Sequence, residues 1–325
     1  MAELASADWT RRVSNVTEPG VRPVGQLDGP ALILRLAPVV FVCLWATGFV
    51  GARLGMPYAE PATFLALRFA IAFVLLGAIG FAFKAQWPKG RDVFHVMLVG
   101  AFVHGIYLGG VFWAVRNGMP AGISAVIVGL QPVLTAFLAF GLLGEAITKW
   151  HWVALPIGLI GVALVLLPGT DISSTGITVA TVTASGLSVV AMAIGTIYQK
   201  RFATQTDLRT GTALQYVGAL VPTLTFALLF ESFSIQWNAQ SIFAMAWLVL
   251  VLSLAAVFLL MWLIREGSVA RVSSLFYLVP AVAALMTWFL FDETLLPIQI
   301  IGMTLCATAV ALAAFRSGKE RHEKV

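Results

Sequence analysis

The stretches PVLTAFLAFGLLGE (Pro132–Glu145) and PAVAALMTWFLFDE (Pro280–Glu293) decide how this chain is read. Each opens on proline, runs through apolar residues without a charge, and closes on glutamate. An apolar run of this kind is a piece of a membrane helix rather than of a soluble core. Its recurrence means that one unit has been built twice. The surroundings recur as well. NGMPAGISAVIVGLQP leads into the first stretch and EGSVARVSSLFYLVP into the second, and an aromatic-rich run precedes each.

Composition agrees. Of 325 residues, 60% are hydrophobic and 11% charged, and the mean hydropathy is +0.93. Soluble domains carry about 25% charged residues. A membrane helix needs about 20 apolar residues. Ten such runs are expected, near 36–54, 63–83, 94–115, 120–143, 151–168, 176–199, 210–230, 241–264, 268–291 and 297–315. The runs are continuous, without the alternating polarity of a membrane β-barrel. The expectation is an all-α integral membrane protein of ten transmembrane helices. Residues 1–32 read as a disordered cytoplasmic tail without a signal peptide, and 317–325 as a basic cytoplasmic tail.

Charge placement orients the chain. With both termini cytoplasmic, 17 of the 20 basic residues fall on the inside, leaving Arg53 and Arg116 outside and Arg68 within a span. Basic residues concentrate on the cytoplasmic side of membrane proteins, so the net charge of +5 is a membrane signature and not a nucleic-acid one. Five spans per half, over 33–169 and 174–316, put the second half into the membrane upside down. Inverted repeats of this kind build many secondary transporters.

The segments LWATGFVGARLG and LALRF, VFWAVRNGMPAGISAVIVGLQPVLTAFLAFGLLGE, and LFYLVPAVAALMTWFLFDE with IIGMTLCATAVAL resemble the drug/metabolite transporter superfamily with two EamA-type domains. The resemblance covers about 33–316. It implies the ten-helix inverted-repeat fold, an inner-membrane location and export of small metabolites such as amino acids, related compounds or drugs. The second half departs from the pattern: it has no counterpart of Arg68, and Asp292–Glu293 replaces Gly144–Glu145.

Several residues are candidates for a substrate site. Arg68 is the costliest group to bury. It either snorkels to the outer interface or binds a substrate carboxylate. His104, one turn from Tyr107, titrates near neutrality when unperturbed and is the candidate for proton coupling. Gln131, Tyr198 and Tyr277 offer hydrogen bonds. Trp45, Trp113 and Trp262 offer an aromatic wall. Pro132 and Pro280 break their helices, which membranes tolerate beside a cavity or within protein. Glu145 and Glu293 mark helix ends or gates. The pairs Gly51/Gly55 and Gly105/Gly109 suit close helix packing, and Cys43 and Cys306 read as small buried hydrophobes.

No catalytic residue, metal-binding motif, P-loop or cofactor signature is present in the sequence. The expected partners are a small-molecule substrate and the lipid bilayer. The competing function is a membrane receptor or scaffold that binds a small ligand without moving it.

Overall fold

The computed structural model describes residues 29–143, 149–166, 176–266, 272, 275–291 and 296–315. Two compact units are distinguished, Met1–Leu36 and Ala37–Val325. The helices are α1 (Gly29–Gly55), α2 (Pro61–Ala82), α3 (Arg91–Arg116), α4 (Ala121–Val128), α5 (Gln131–Leu143), α6 (Lys149–Leu166), α7 (Val179–Phe202), α8 (Leu208–Phe230), α9 (Ala239–Arg265), α10 (Leu278–Phe291) and α11 (Pro297–Phe315). Among the described residues, six segments are long and apolar enough to cross a membrane: Leu36–Tyr58, α2, α3, α7, α8 and α9.

Local chemistry sets the helix starts. Pro61 opens α2 at a position where its missing N–H costs nothing. Thr178 with Thr181, and Asn238 with Ser241, close reciprocal capping boxes at the starts of α7 and α9. Asp207 caps α8 and also bonds the Arg209 side chain. Gly118 and Gly176 both take positive φ, and their turns touch so closely that a Cβ on Gly176 would overlap the Gly118 backbone.

The 120–143 run is not one helix. It breaks at Gly129–Leu130 into α4 and α5, so Pro132 is the second residue of α5. The same happens in the second half, where a short 3-10 turn, Leu275–Tyr277, precedes α10 and Pro280 is its third residue. At the start of a helix, proline deletes a donor that has no intrahelical partner anyway.

Polar groups face inward and apolar groups outward. Arg68, His104, Gln199 and Gln215 are buried, while Val179 is 86% exposed and Phe289 79% exposed. Lipid, not water, suits such a surface. α6 lies against α11, where Gly161 admits the backbone of Gly302 and Cys306. Cys306 is buried as expected, but Cys43 is exposed, because it sits on the outer face of α1. Gly51 and Gly55 do pack, against Leu248 and Phe64, and Gly105 packs against Pro222 and Ala219. Gly109 has nothing close to it. It lines an open groove.

Two helices widen locally. α3 takes a π conformation over Ala101–Ile106, around His104, and α9 does so over Leu248–Ala256, around Ser253. Each is the third long helix of its half. Such insertions are rare and cluster at functional sites.

Candidate functional site

The two π segments and α1, α2, α7 and α8 meet around one buried polar cluster. Arg68 is 1% exposed. Its Nε donates to Ser253 Oγ at 2.9 Å, and its guanidinium carbon lies 5.9 Å from the Phe69 ring. Arg68 therefore does not snorkel: its head is held inside the bundle by a residue 185 positions away. Among the described residues, Nη1 has no hydrogen-bond acceptor. In the widened turn of α9, the Ser253 carbonyl accepts the Tyr216 hydroxyl at 2.6 Å.

A chain of amides runs beside this. Gln215 Nε2 donates to Gln199 Oε1 at 2.9 Å, so Gln215 Oε1 is left as the acceptor that faces His104 Nε2 at 3.3 Å. That arrangement assigns the proton to Nε2. The ring of His104 lies 5.0 Å from that of Tyr216, which in turn stacks on Phe69 at 5.7 Å. Tyr107 is turned toward Trp45, whose indole N–H donates to its hydroxyl at 3.4 Å, with the rings stacked. A small cavity of about 20 Å³ touches Trp45, Arg68, His104 and Tyr107.

The structure thus brings Trp45, Arg68, His104 and Tyr107 together and places the other candidates elsewhere. Tyr198 sits near the end of α7, where it bonds His95 Nδ1 at 2.7 Å and packs on Phe202. Trp113 lines a separate apolar groove of about 610 Å³ between α2, α3, α7 and α8. Trp262 is partly buried in the last segment of α9. Gln131 is fully buried; its amide donates to Thr135 Oγ1 at 2.9 Å and its carbonyl oxygen has no donor. The Tyr277 side chain, Glu145 and Glu293 lie outside the described residues. Gln199, Gln215, Tyr216 and Ser253 also belong to the cluster, although a lone amide or hydroxyl in an apolar run carries no local signal in the sequence.

A second polar assembly joins the α1–α2 loop to the α8–α9 loop. Glu231 accepts from Ala62 N at 2.9 Å and from Thr63 N and Oγ1, each at 2.7 Å. It caps the first turn of α2, which lacks a side-chain cap of its own. Glu60 returns the contact, accepting from Ser232 N at 2.9 Å, Ser232 Oγ at 3.1 Å and Ser234 N at 2.8 Å. Ala59 and Ile235 pair as an isolated antiparallel bridge. The backbone amide of Ser234, and less strongly Ser232, holds the Glu60 carboxyl below the ordinary carboxylate value. Arg116 donates to the Met56 carbonyl at 3.1 Å beside this clasp. Among the described residues, no three His, Cys, Asp or Glu side chains converge as a metal site.

Comparison with known proteins bears on what this arrangement serves. The model of the EamA-like transporter family matches residues 32–167 and again residues 181–315. The uncharacterized transporter YvbV of Bacillus subtilis is 26% identical over 283 residues, covering 86% of this chain and 91% of that protein. The uncharacterized inner membrane transporter YedA of Escherichia coli K12 is 27% identical over 270 residues, covering 83% and 86%. A probable amino-acid metabolite efflux pump of Salmonella typhimurium is 23% identical over 289 residues, covering 85% and 93%. One crystal structure superposes with a TM-score of 0.69 at 19% identity, over 86% of this chain and 96% of that one, a likeness of fold alone.

Proposed function

The chain belongs to the EamA-like transporter family, and from that premise we propose that it is a secondary transporter that moves small organic metabolites across the inner membrane, in the direction of export. The observation that carries this reading is the buried cluster, which draws on both family repeats. Trp45, Arg68, His104 and Tyr107 come from the first, and Gln199, Gln215, Tyr216 and Ser253 from the second. A substrate bound there touches both halves, so a relative rotation of the halves would expose it to one side and then the other. The family relation, the multi-pass apolar helices and the printed names of the relatives support a transporter over an enzyme.

We read the ten expected spans as two inverted five-helix repeats with both termini cytoplasmic. The paired π segments in α3 and α9 and the paired helix breaks before Pro132 and Pro280 support that symmetry. The clasp of Glu60 and Glu231 then belongs to the external side and forms one gate, while Glu145 and Glu293 remain proposed gate residues. His104 is the proposed site of any proton coupling.

The test is counterflow in liposomes with a panel of labelled amino acids, organic acids and cationic drugs, with and without a pH gradient. Saturable exchange abolished by substitutions in the cluster is the expected result. Specific binding to folded protein without exchange would overturn the transporter reading in favour of a receptor.

A further inference from the structure

Arg68 is a full positive charge with no counter-charge among the described residues. It is the eighth residue of α2, about 10 Å along the axis from Pro61. The carboxylates at that end, Glu60 and Glu231, are engaged in the clasp. The other described acids, Asp92, Asp207 and Glu266, stand at or beyond helix ends. In the whole sequence none of the 15 acidic residues falls within the ten apolar runs. The groups that do face Arg68 carry no negative charge: Ser253, His104, Tyr107, Tyr216 and Phe69. A buried ion is tolerated when it is paired. Here one donor, Nη1, is buried without an acceptor, and the side chain borders a cavity.

Resting on the transporter reading above, we infer that the transported species is a small organic anion, a carboxylate without an ammonium group, and that Arg68 is its counter-ion. Nη1 takes a carboxylate oxygen while Nε stays on Ser253. Apart from Arg68 and His104, the cavity wall, with Trp45, Phe49, Tyr107, Phe112, Leu252 and Val257, is aromatic or aliphatic, so the body of the substrate is apolar. No carboxylate in the cluster is available to receive an ammonium group, which disfavours a zwitterion. The cavity of about 20 Å³ holds about one water-sized group. It fits a single oxygen in this conformation, and the remainder of the substrate enters when α1 and α9 part from α3.

The test uses purified full-length protein and three compounds of one skeleton: an aryl monocarboxylate, its neutral primary amide and its zwitterionic α-amino analogue. Sodium chloride at matched ionic strength is the inorganic control. Binding is read by thermal stabilisation and calorimetry, and flux by counterflow at alkaline pH against protein-free liposomes. The carboxylate binds, the amide does not compete, and the zwitterion is at least about tenfold weaker, because its ammonium group is buried without a partner. Arg68→Gln weakens carboxylate binding by at least about tenfold, and Arg68→Lys recovers part of it. Should Arg68→Gln fail to fold, the ranking of carboxylate, amide and zwitterion on the unsubstituted protein carries the test.

Equal competition by the amide, equal or tighter binding of the zwitterion, stabilisation by chloride alone, or no carboxylate binding would each overturn the inference. Flux of a neutral or cationic compound that the carboxylate does not inhibit would sink the anion assignment and leave the transporter reading standing. Carboxylate binding lost in Arg68→Gln but unaccompanied by exchange would keep the anion site and sink transport.

Discussion

Cutting the clasp should free the loop it covers. Glu231 is the side to remove, because its carboxylate makes three bonds to the first turn of α2 across 168 residues of sequence. Glu231→Ala strips α2 of its cap, which costs about 1–2 kcal/mol. It also removes a negative charge from a helix N-terminus, about 0.3–1 kcal/mol at a partly exposed site. Together that is about 1–3 kcal/mol against the closed arrangement, or roughly a 5- to 150-fold rise in its opening. Met56 is buried in the adjoining turn, with its carbonyl held by Arg116, so a thiol placed there reports opening. The assay is maleimide labelling of Met56→Cys in nanodiscs, in a background of Cys43→Ala and Cys306→Ala. Glu231→Ala raises the labelling rate by that factor. Thr63→Val, which loses one of the three bonds, raises it less, and the pair falls short of additivity because the two residues share a contact. A rate unchanged in Glu231→Ala, with a lowered Tm, would refute the gate and reduce Glu231 to a helix cap.

The Glu60 carboxyl is held below its ordinary value of 4.5 by the Ser234 and Ser232 amides; its contribution is therefore complete above 4.5 and is lost as the pH falls through its depressed value. Thermal stability should stay level through the neutral range and drop in acid, and Glu60→Gln should flatten that drop. Gly218→Val forces a side chain into the backbone of Met97 and should destabilise by about 1–3 kcal/mol, read by thermal unfolding. Gln215→Leu leaves His104 and Gln199 without their shared partner and should cost about 1–3 kcal/mol, whereas Gln199→Leu, which strands only one amide of Gln215, should cost less. Asp207→Ala removes the cap of α8 and should cost about 1 kcal/mol, with little added by its ion pair to Arg209, whose partners are 35% and 23% exposed.

What could be read in advance follows the range of the forces involved. Helix positions come from length and hydropathy, which are local, so the expected run 210–230 lies within Leu208–Phe230 and 241–264 within Ala239–Arg265. Inward faces are another matter. α2 is apolar on every side, so no stripe marks which residues turn inward. Arg68 declared itself by cost alone, and its acceptor waited on a serine in the other half. Tyr198 and Trp113 looked equal to Tyr107 and Trp45 as ring-bearing residues, yet rotation of α7 and the lower half of α3 sends them to His95 and to the apolar groove. Cys43 faces outward for the same reason. The clasp left half a trace: Glu60 precedes a helix-opening proline, a recognisable start, but the carboxylate that caps that start arrives from the far repeat.

The π segments were the least legible feature and the most consequential. Neither AFVHGI nor LVLVLSLAA contains a proline or an unusual polar pair to announce a widened turn. One extra residue per turn is a cost that tertiary contacts must offset. In α9 the offset is visible: Ser253 accepts from Arg68 with its hydroxyl and from Tyr216 with its carbonyl, so one residue anchors both α2 and α8. In α3 the widened turn sets His104 toward Gln215, while Gly105, beside it, lets α8 approach through Ala219 and Pro222. Both insertions thus face α8, one from each repeat. A duplication that conserved only hydropathy would not place them in the same helix of each half. Their common position is explained if the widened turns are the points about which the halves hold, and release, whatever Arg68 binds.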